Sequence, residues 1–507
     1  MAKIQRTQNA RNNIVFGFIL KIYQIMIPFL MRTAMIYLMG VQYLGLNSLF
    51  TSILQVLNLA ELGVGSAMVY SMYKPIAEDD SVSICALMSL YRTYYRIIGG
   101  VIAAVGLSIT PFIPELISGD VPPDINIYIL YLLNLGATVL SYWLFAYKNS
   151  IFTAHQRTDV ASKVTLVTIT IQYILQILVL IIFHNYYYFI IAALLTQIMN
   201  NIVIAVYADR VYPNFKPFGS VSHEEKTKIN HKMKDLFFIR IGSVVIDSAD
   251  TIVISAFLGL TTLAIYQNYF FIMNSIYSMV VIIMWSITAG VGNSLLTESL
   301  EKNYRDFKSL TFIISFILCF CCVCFVGLYQ PFMELWVGKD LMLAFPLVIF
   351  LCIYFYTRLI VSIWNVPKDA AGLWHTDRFR SLIAAGVNLT LNLLMVTYIG
   401  LYGILLSTII SVVGISCPWI LHNVFKYIYK RGIKEYLITI LKYAACTVIC
   451  CFIGHELSSI ILIGGVIQLV VNGIICSISS LLFLIIFCRT EEYKNSKQIF
   501  LRVVKRR

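Results

Sequence analysis

Residues 311–328 read Thr-Phe-Ile-Ile-Ser-Phe-Ile-Leu-Cys-Phe-Cys-Cys-Val-Cys-Phe-Val-Gly-Leu, eighteen positions without a charge. A helix needs about 20 mostly apolar residues to cross the hydrocarbon core of a bilayer. This run, extended to 307–329, therefore predicts a membrane helix. Its cysteines, Cys319, Cys321, Cys322 and Cys324, sit in the apolar stretch itself. Metal sites pair cysteines at C-x-x-C-like spacings in polar loops, so these four read as small apolar filling. No loop placed outside the membrane holds a cysteine, and no disulfide is expected.

Working outward, thirteen more segments read the same way: 13–38, 46–73, 84–111, 125–147, 161–183, 186–209, 233–258, 263–296, 341–364, 378–399, 402–425, 436–454 and 460–488. The composition agrees. Of 507 residues 59% are hydrophobic and 12% charged, and mean hydropathy is +0.81, whereas a soluble domain carries about 25% charged residues. The fold class expected is an all-α integral membrane protein. The basic start (Lys3, Arg6, Arg11) resembles a signal peptide, but the apolar run continues to Tyr37 with no small-residue cleavage site, so it reads as a retained first helix.

The net charge is +13. In a soluble chain that would suggest nucleic acid. Here the cations lie in alternate loops: Lys74; Lys148, Arg157 and Lys163; Lys216, Lys226 and Lys228; Lys302 and Arg305; Lys368; Lys426, Lys430, Arg431 and Lys434; and the tail Arg489–Arg507. The other loops hold almost none, Lys339 being the exception, and the longest of them carries Glu115, Asp120 and Asp124. This is a positive-inside pattern. It predicts cytosolic termini, contact with the bilayer's anionic headgroups and no nucleic-acid partner.

The longest predicted cytosolic loop separates the first six helices from the next six. Leu38-Met-Gly40-Val-Gln-Tyr43-Leu-Gly45-Leu46 aligns without gaps to Phe257-Leu-Gly259-Leu-Thr-Thr-Leu-Ala264-Ile265, at the equivalent turn of each half. The expectation is two parallel six-helix repeats plus two C-terminal helices. The predicted divisions are a first bundle at 1–210, a cytosolic linker at 211–232, a second bundle at 233–425, an extra helix pair at 426–488 and a basic cytosolic tail at 489–507.

An ionisable side chain at a helix centre costs about 2.5–3.5 kcal/mol on insertion scales, so such residues face protein or water. Lys21, Gln24, Pro28 and Arg32 follow helical spacing in the first helix, as do Asn58, Glu61 and Gly65 in the second. Arg92 and Arg96 lie one turn apart, and Arg240, Ser243, Asp247 and Asp250 line up. Gln267, Asn274 and Ser278 form a polar stripe, and so do Ser381, Asn388 and Asn392. The functional interpretation is a cationic, water-filled cavity. Arg32, Arg92, Arg96 and Arg240 would bind an anionic substrate, Arg being suited to phosphate. Glu61, Asp247 and Asp250 would be ion-coupling candidates, and Gln24, Asn58, Gln267, Asn274, Asn388 and Asn392 polar lining. A structural interpretation stands beside it: Lys21, Arg92 and Arg358 snorkel to the interface, Asp247 or Asp250 pairs with Arg240, and the Asn and Ser stripes join helices.

Catalytic signatures are missing: there is no P-loop, no G-x-S-x-G and no H-E-x-x-H. Direct ATP drive, a metal site and an organic cofactor are not expected.

The segments Arg32 to Leu46, Asn58-Leu-Ala-Glu61-Leu-Gly63-Val-Gly65, Lys368-Asp-Ala-Ala-Gly372-Leu-Trp-His-Thr-Asp377-Arg378-Phe-Arg380, and Asn388-Leu-Thr-Leu-Asn392 with Gly400-Leu-Tyr-Gly403-Ile-Leu-Leu-Ser-Thr408 resemble the Wzx-type polysaccharide-repeat flippases of the multidrug/oligosaccharidyl-lipid/polysaccharide (MOP) exporter superfamily. The resemblance implies a V-shaped two-bundle fold and alternating access in a bacterial cytoplasmic membrane, coupled to H+ or Na+. The implied substrate is a sugar repeat unit on undecaprenyl pyrophosphate, moved to the outer leaflet for capsule, O-antigen or exopolysaccharide synthesis. A polysaccharide polymerase and glycosyltransferases are the partners that go with it. By this analogy the four arginines hold the pyrophosphate and acidic sugars, and the last two helices accommodate the lipid tail. Two alternatives remain: a drug or metabolite exporter of the same superfamily, which typically has twelve helices, and a membrane polymerase or glycosyltransferase, which would need larger outside loops.

Overall fold

In hydrocarbon no water is at hand to bond the backbone, so a spanning segment must satisfy its own N–H and C=O groups. The computed structural model, which describes residues 6–119, 121–461 and 463–505, is accordingly helical, with no strand among those residues. The expectations for Lys3, Asp120, Arg506 and Arg507 lie outside them. The helices are α1 (Arg6–Leu38), α2 (Val41–Leu57), α3 (Val64–Ala77), α4 (Ser81–Ile109), α5 (Ile127–Trp143), α6 (Asn149–Ala154), α7 (Thr158–Phe183), α8 (Tyr186–Val211), α9 (His223–Thr297), α10 (Leu300–Val337), α11 (Phe345–Ala370), α12 (Arg380–Ile399), α13 (Leu401–Ser411), α14 (Cys417–Asn423), α15 (Lys434–Ile460), α16 (Gly465–Phe487) and α17 (Glu491–Lys505).

Twelve stretches of the described residues are long and apolar enough to cross a membrane. The bent pair Ile127–Trp143 and Ala146–Ala154, 48° apart, makes a thirteenth. One of the twelve, Arg240–Thr297, is 58 residues long and is interrupted at Gly259 (φ 82°, ψ 171°). Counting it as two gives the fourteen segments of the sequence. Gly259 is the residue that the internal alignment sets opposite Gly40, and Gly40 precedes α2 at φ 116°, ψ 161°. Both occupy a backbone region that is essentially restricted to glycine, so the repeated sequence produces a repeated turn.

Three segments differ from the continuous spans expected. The second breaks into α2, a 3₁₀ turn at Asn58–Glu61, and α3. The fourth bends between α5 and α6. The twelfth contains two π-helical stretches, Val412–Ser416 and Val424–Tyr429, on either side of α14.

The chain divides into two compact units, Met1–Ala264 and Ile265–Arg507. The first unit contains the leading part of α9, which packs on the helices before it. Tyr94 donates to Asn230 Oδ1 at 2.6 Å, Lys232 Nζ lies 4.1 Å from the centre of the Tyr70 ring, and Ser118 N–H donates to Ser255 O at 2.9 Å. Two glycines permit the approach: a Cβ on Gly63 would sit 2.9 Å from Met233 O, and one on Gly45 would strike Leu260 O.

In the second unit α10 is central. Asn472 of α16 donates to Gly327 O at 3.0 Å, and Phe312 meets Tyr443 of α15 and Phe483 of α16 at centroid distances of 5.8 and 5.7 Å. The extra helix pair is thus fastened into this unit by buried polar and aromatic contacts, as membrane helices require in the absence of a hydrophobic drive between them. The basic tail forms α17 and docks on α10: Lys308 pairs with Glu492 at 3.2 Å, and Ser496 Oγ donates to Ser309 O at 3.2 Å.

Candidate functional site

The break in the second span presents Glu61. The chain leaves α2 through the 3₁₀ turn, Leu62 extends, and Gly63 takes a left-handed conformation (φ 90°) before α3 begins. The end of one helix and the start of the next thus meet inside the membrane segment, an arrangement that transporters use to hold ions. A Cβ on Gly65 would lie 3.8 Å from Glu61 Oε1, so the carboxylate rests against the first turn of α3, where the helix dipole favours negative charge.

Three tyrosines close around it. Tyr95 donates to Glu61 Oε1 at 2.6 Å and Tyr142 to Oε2 at 3.0 Å. Tyr142 also reaches Asn58 Oδ1 at 3.2 Å, and Tyr91 donates to the Tyr95 hydroxyl at 2.8 Å. All three rings are buried, with Tyr95 edge-on to both Tyr91 and Tyr142 at 4.5 and 5.3 Å. Among the described residues Glu61 makes no ion pair. The sequence reading singles out Asn58 and Glu61, which the structure brings together, but misses the tyrosines. A faint signal exists: Tyr91 and Tyr95 stand one turn apart in an apolar helix, and a buried phenol needs a partner.

The four arginines all belong to the first unit. Arg32 of α1 and Arg92 of α4 are half-buried, while Arg96 and Arg240 are exposed. Arg92, Arg96 and Asp209 each lie within electrostatic reach of the Tyr147 hydroxyl, and Asp209 pairs with the buried Lys148 at 2.5 Å. Gln24 is exposed on α1. Asp247 is half-buried and Asp250 buried, on the same part of α9 as Arg240.

The second unit contains the other predicted polar residues. Gln267 and Asn274 are half-buried. Asn274 Oδ1 accepts from Arg358 Nη1 at 3.3 Å, and the guanidinium lies 4.2 Å from the Tyr277 ring centre. Arg358 is thus seated on an aromatic face, a role not foreseen for it. Asn388 and Asn392 have 0% exposure. Asn388 donates to Thr408 of α13 at 2.9 Å, Asn392 to Asn388 at 3.4 Å, and Ser407 to Asn392. These amides join α12 to α13.

Each unit also holds a buried carboxylate clamped by two cations at the start of a span, α7 in the first and α12 in the second, each time preceded by Thr. Asp159 receives Arg157 at 3.0 Å and Lys163 at 3.1 Å. Asp377 receives Lys368 at 2.8 Å and Arg380 at 2.9 Å.

No protein-family model and no curated protein matches the chain. Solved structures do. A lipid II flippase, MurJ, in an inward closed conformation has a TM-score of 0.70 at 16% identity, over 94% of this chain and 99% of that one. An inward-facing multidrug resistance MATE transporter of the MOP superfamily scores 0.58 at 13% identity, covering 78% and 93%. A point mutant of the Vibrio cholerae MATE transporter VcmN scores 0.52 at 14% identity, covering 85% and 98%. The chain is a multi-pass membrane protein with the fold of MOP-superfamily transporters.

Proposed function

We propose that this protein is a flippase for lipid-linked oligosaccharides, moving repeat units on undecaprenyl pyrophosphate from the cytosolic to the outer leaflet of a bacterial cytoplasmic membrane, for surface-polysaccharide synthesis. The observation that carries this reading is the extent of the likeness to the lipid II flippase. A match over 94% of 507 residues leaves about 30 unmatched, fewer than the 27 and 23 of α15 and α16 together. The flippase fold therefore reaches into the extra helix pair, whereas the two exporters cover 78% and 85% of the chain. A large amphiphile gives that pair a use: Val448, Phe452, Val466, Ile467 and Ile474 leave it with broad apolar flanks suited to a polyprenyl tail. Arg32, Arg92, Arg96 and Arg240 are the groups proposed to hold the diphosphate, since the guanidinium fork matches its oxygens. Glu61, with Asp247 and Asp250, is proposed to couple the movement to H+ or Na+.

The test is reconstitution in liposomes with a fluorescent undecaprenyl-pyrophosphate oligosaccharide. The wild-type protein moves the lipid between leaflets, and the combined Arg32→Ala, Arg92→Ala, Arg96→Ala and Arg240→Ala variant inserts normally but does not. Full activity in that variant overturns the arginine assignment. A folded wild-type protein that moves no such lipid brings forward the drug or metabolite exporter, the reading that the MATE likeness favours.

A further inference from the structure

We propose that Glu61 with Tyr91, Tyr95 and Tyr142 is the proton-binding site of this transporter, the two tyrosines of α4 acting as its relay; the coupling role given to it rests on the flippase reading above.

The argument starts from the partners. A buried carboxylate flanked by cations is locked as an anion, because protonating it strands the cations. Among the described residues Glu61 has no such partner: the groups facing it are the phenols of Tyr95 and Tyr142, with Tyr91 behind, and the Asn58 amide. The atoms of α9 nearest Gly63 belong to Met233, Leu236 and Phe237, none of them titratable. The nearest cations on α4, Arg92 and Arg96, follow the tyrosines on the helix and lie near Tyr147 instead. Neutral hydroxyls stabilise the carboxylate without forbidding its neutralisation.

The cage can also serve the protonated form. A hydroxyl both donates and accepts. In the present arrangement protons point inward, from Tyr91 to Tyr95 to Oε1. When a proton arrives on Oε1, that O–H donates to the Tyr95 oxygen, and the Tyr95 and Tyr91 hydroxyls rotate to point the other way. One proton is gained, one O–H bond forms on Oε1, and the two hydrogen bonds of the chain are kept with their direction reversed. The 2.6 and 2.8 Å links are short enough for the same chain to pass the proton along. Sodium would need the phenol lone pairs turned toward it all at once, at the expense of the donations they make to the carboxylate.

The site also lies where its charge can act on shape. Glu61 ends the 3₁₀ turn, and two residues later Gly63 packs on the leading part of α9. Neutralising Glu61 removes its attraction to the first turn of α3, at the joint that α9 leans on.

Infrared difference spectroscopy on the purified full chain tests this directly. Acidification produces the carbonyl band of a protonated carboxylic acid, and Glu61→Gln removes that band. Tyr95→Phe keeps the band but shifts it to higher frequency, since a hydrogen bond is lost; this second variant keeps the test decisive should Glu61→Gln fold poorly. In liposomes the ratio of lipid movement with and without a proton gradient falls to unity in Glu61→Gln. A band unchanged by either variant, or a ratio that responds to sodium and not to protons, overturns the proposal. A Glu61-dependent band in a protein that moves no oligosaccharide lipid leaves the proton site standing and sinks the flippase reading. Gradient-driven movement without the band does the reverse.

Discussion

Asp377 and Glu61 are both carboxylates set among membrane helices, and they are kept there in opposite ways. Asp377 lies between Lys368 and Arg380, with side-chain exposures of 6%, 8% and 13%. Glu61 is approached by neutral donors alone among the described residues. In the first case charge is cancelled by charge, which fixes a joint between α11 and α12. In the second it is stabilised by dipoles that can turn round. The sequence hints at the difference, since Asp377 lies in a motif with Lys368, Arg378 and Arg380 and Glu61 in one with no other charge. The partners separate them.

The contrast can be broken most severely at Asp377. Asp377→Ala takes the shared anion from Arg380 and leaves the buried Lys368 with only the more exposed Asp369, 3.4 Å away, and removing one side of a buried pair costs about 3–5 kcal/mol. The expected result is a protein that unfolds far below the wild-type temperature in detergent. Asp159→Ala should lose less, because Arg157 and Lys163 are 37% and 44% exposed and can recover water. Equal losses at the two positions would show that exposure does not govern the clamps. Next in size is Tyr95→Phe, which deletes the hydrogen bond to Glu61 and the one accepted from Tyr91; a bond to a charged acceptor alone contributes about 1.5–3 kcal/mol, read as a matching fall in melting temperature. Glu61→Gln sharpens the comparison from the other side. An amide can still accept from one tyrosine and donate to the other, so its destabilisation should stay at about 1 kcal/mol, the net worth of an ordinary hydrogen bond. A collapse like that of Asp377→Ala would place Glu61 with the structural anions.

The smallest effect concerns a third kind of titratable group. His155, just before α7, donates from Nδ1 to Ile151 O at 2.8 Å and lies tilted against the Tyr212 ring at 4.4 Å, with Nε2 buried and unbonded. Burial pushes its pKa below the ordinary 6.5. The folded state therefore favours the neutral ring, and this contribution is intact above the unfolded-state pKa and fades as pH falls toward the lower folded value. Melting temperatures at neutral and mildly acidic pH should show an acid-side loss that His155→Phe flattens. An identical acid limb in the variant would assign that loss to other groups.

Much of the fold is legible in the sequence because the bilayer makes a simple demand: eighteen uncharged residues at 311–328 have few other places to go. The repeated turn is legible for a similar reason, since Gly40 and Gly259 hold a conformation that other residues avoid. The broken second span is not. Leu59, Ala60 and Leu62 are as apolar as a continuous helix would need, and only Gly63 and Gly65 signal the interruption. The cage is harder still, for Glu61 and Tyr142 are 81 residues apart and no local spacing joins them. Lys368, Asp377 and Arg380 stand out as a motif, but their mutual pairing depends on a turn of the chain at Gly372 that spacing alone does not describe. The amide pair Asn388 and Asn392 lies on one helix face, as its spacing requires; which neighbour that face meets is a tertiary fact.

The contact of Gly45 with Leu260 bears on how such proteins can be recombined. The obstacle to a side chain at position 45 is a backbone oxygen, which no change of neighbouring side chain can remove. The surface around Gly45 and Gly63 is covered by residues from the far side of the polar 211–232 stretch, although that stretch looks like the natural seam. A chimera joined there would pair one parent's glycine seats with the other parent's α9. A crossover placed after Leu260 transfers seat and helix together, and is the one expected to yield folded hybrids.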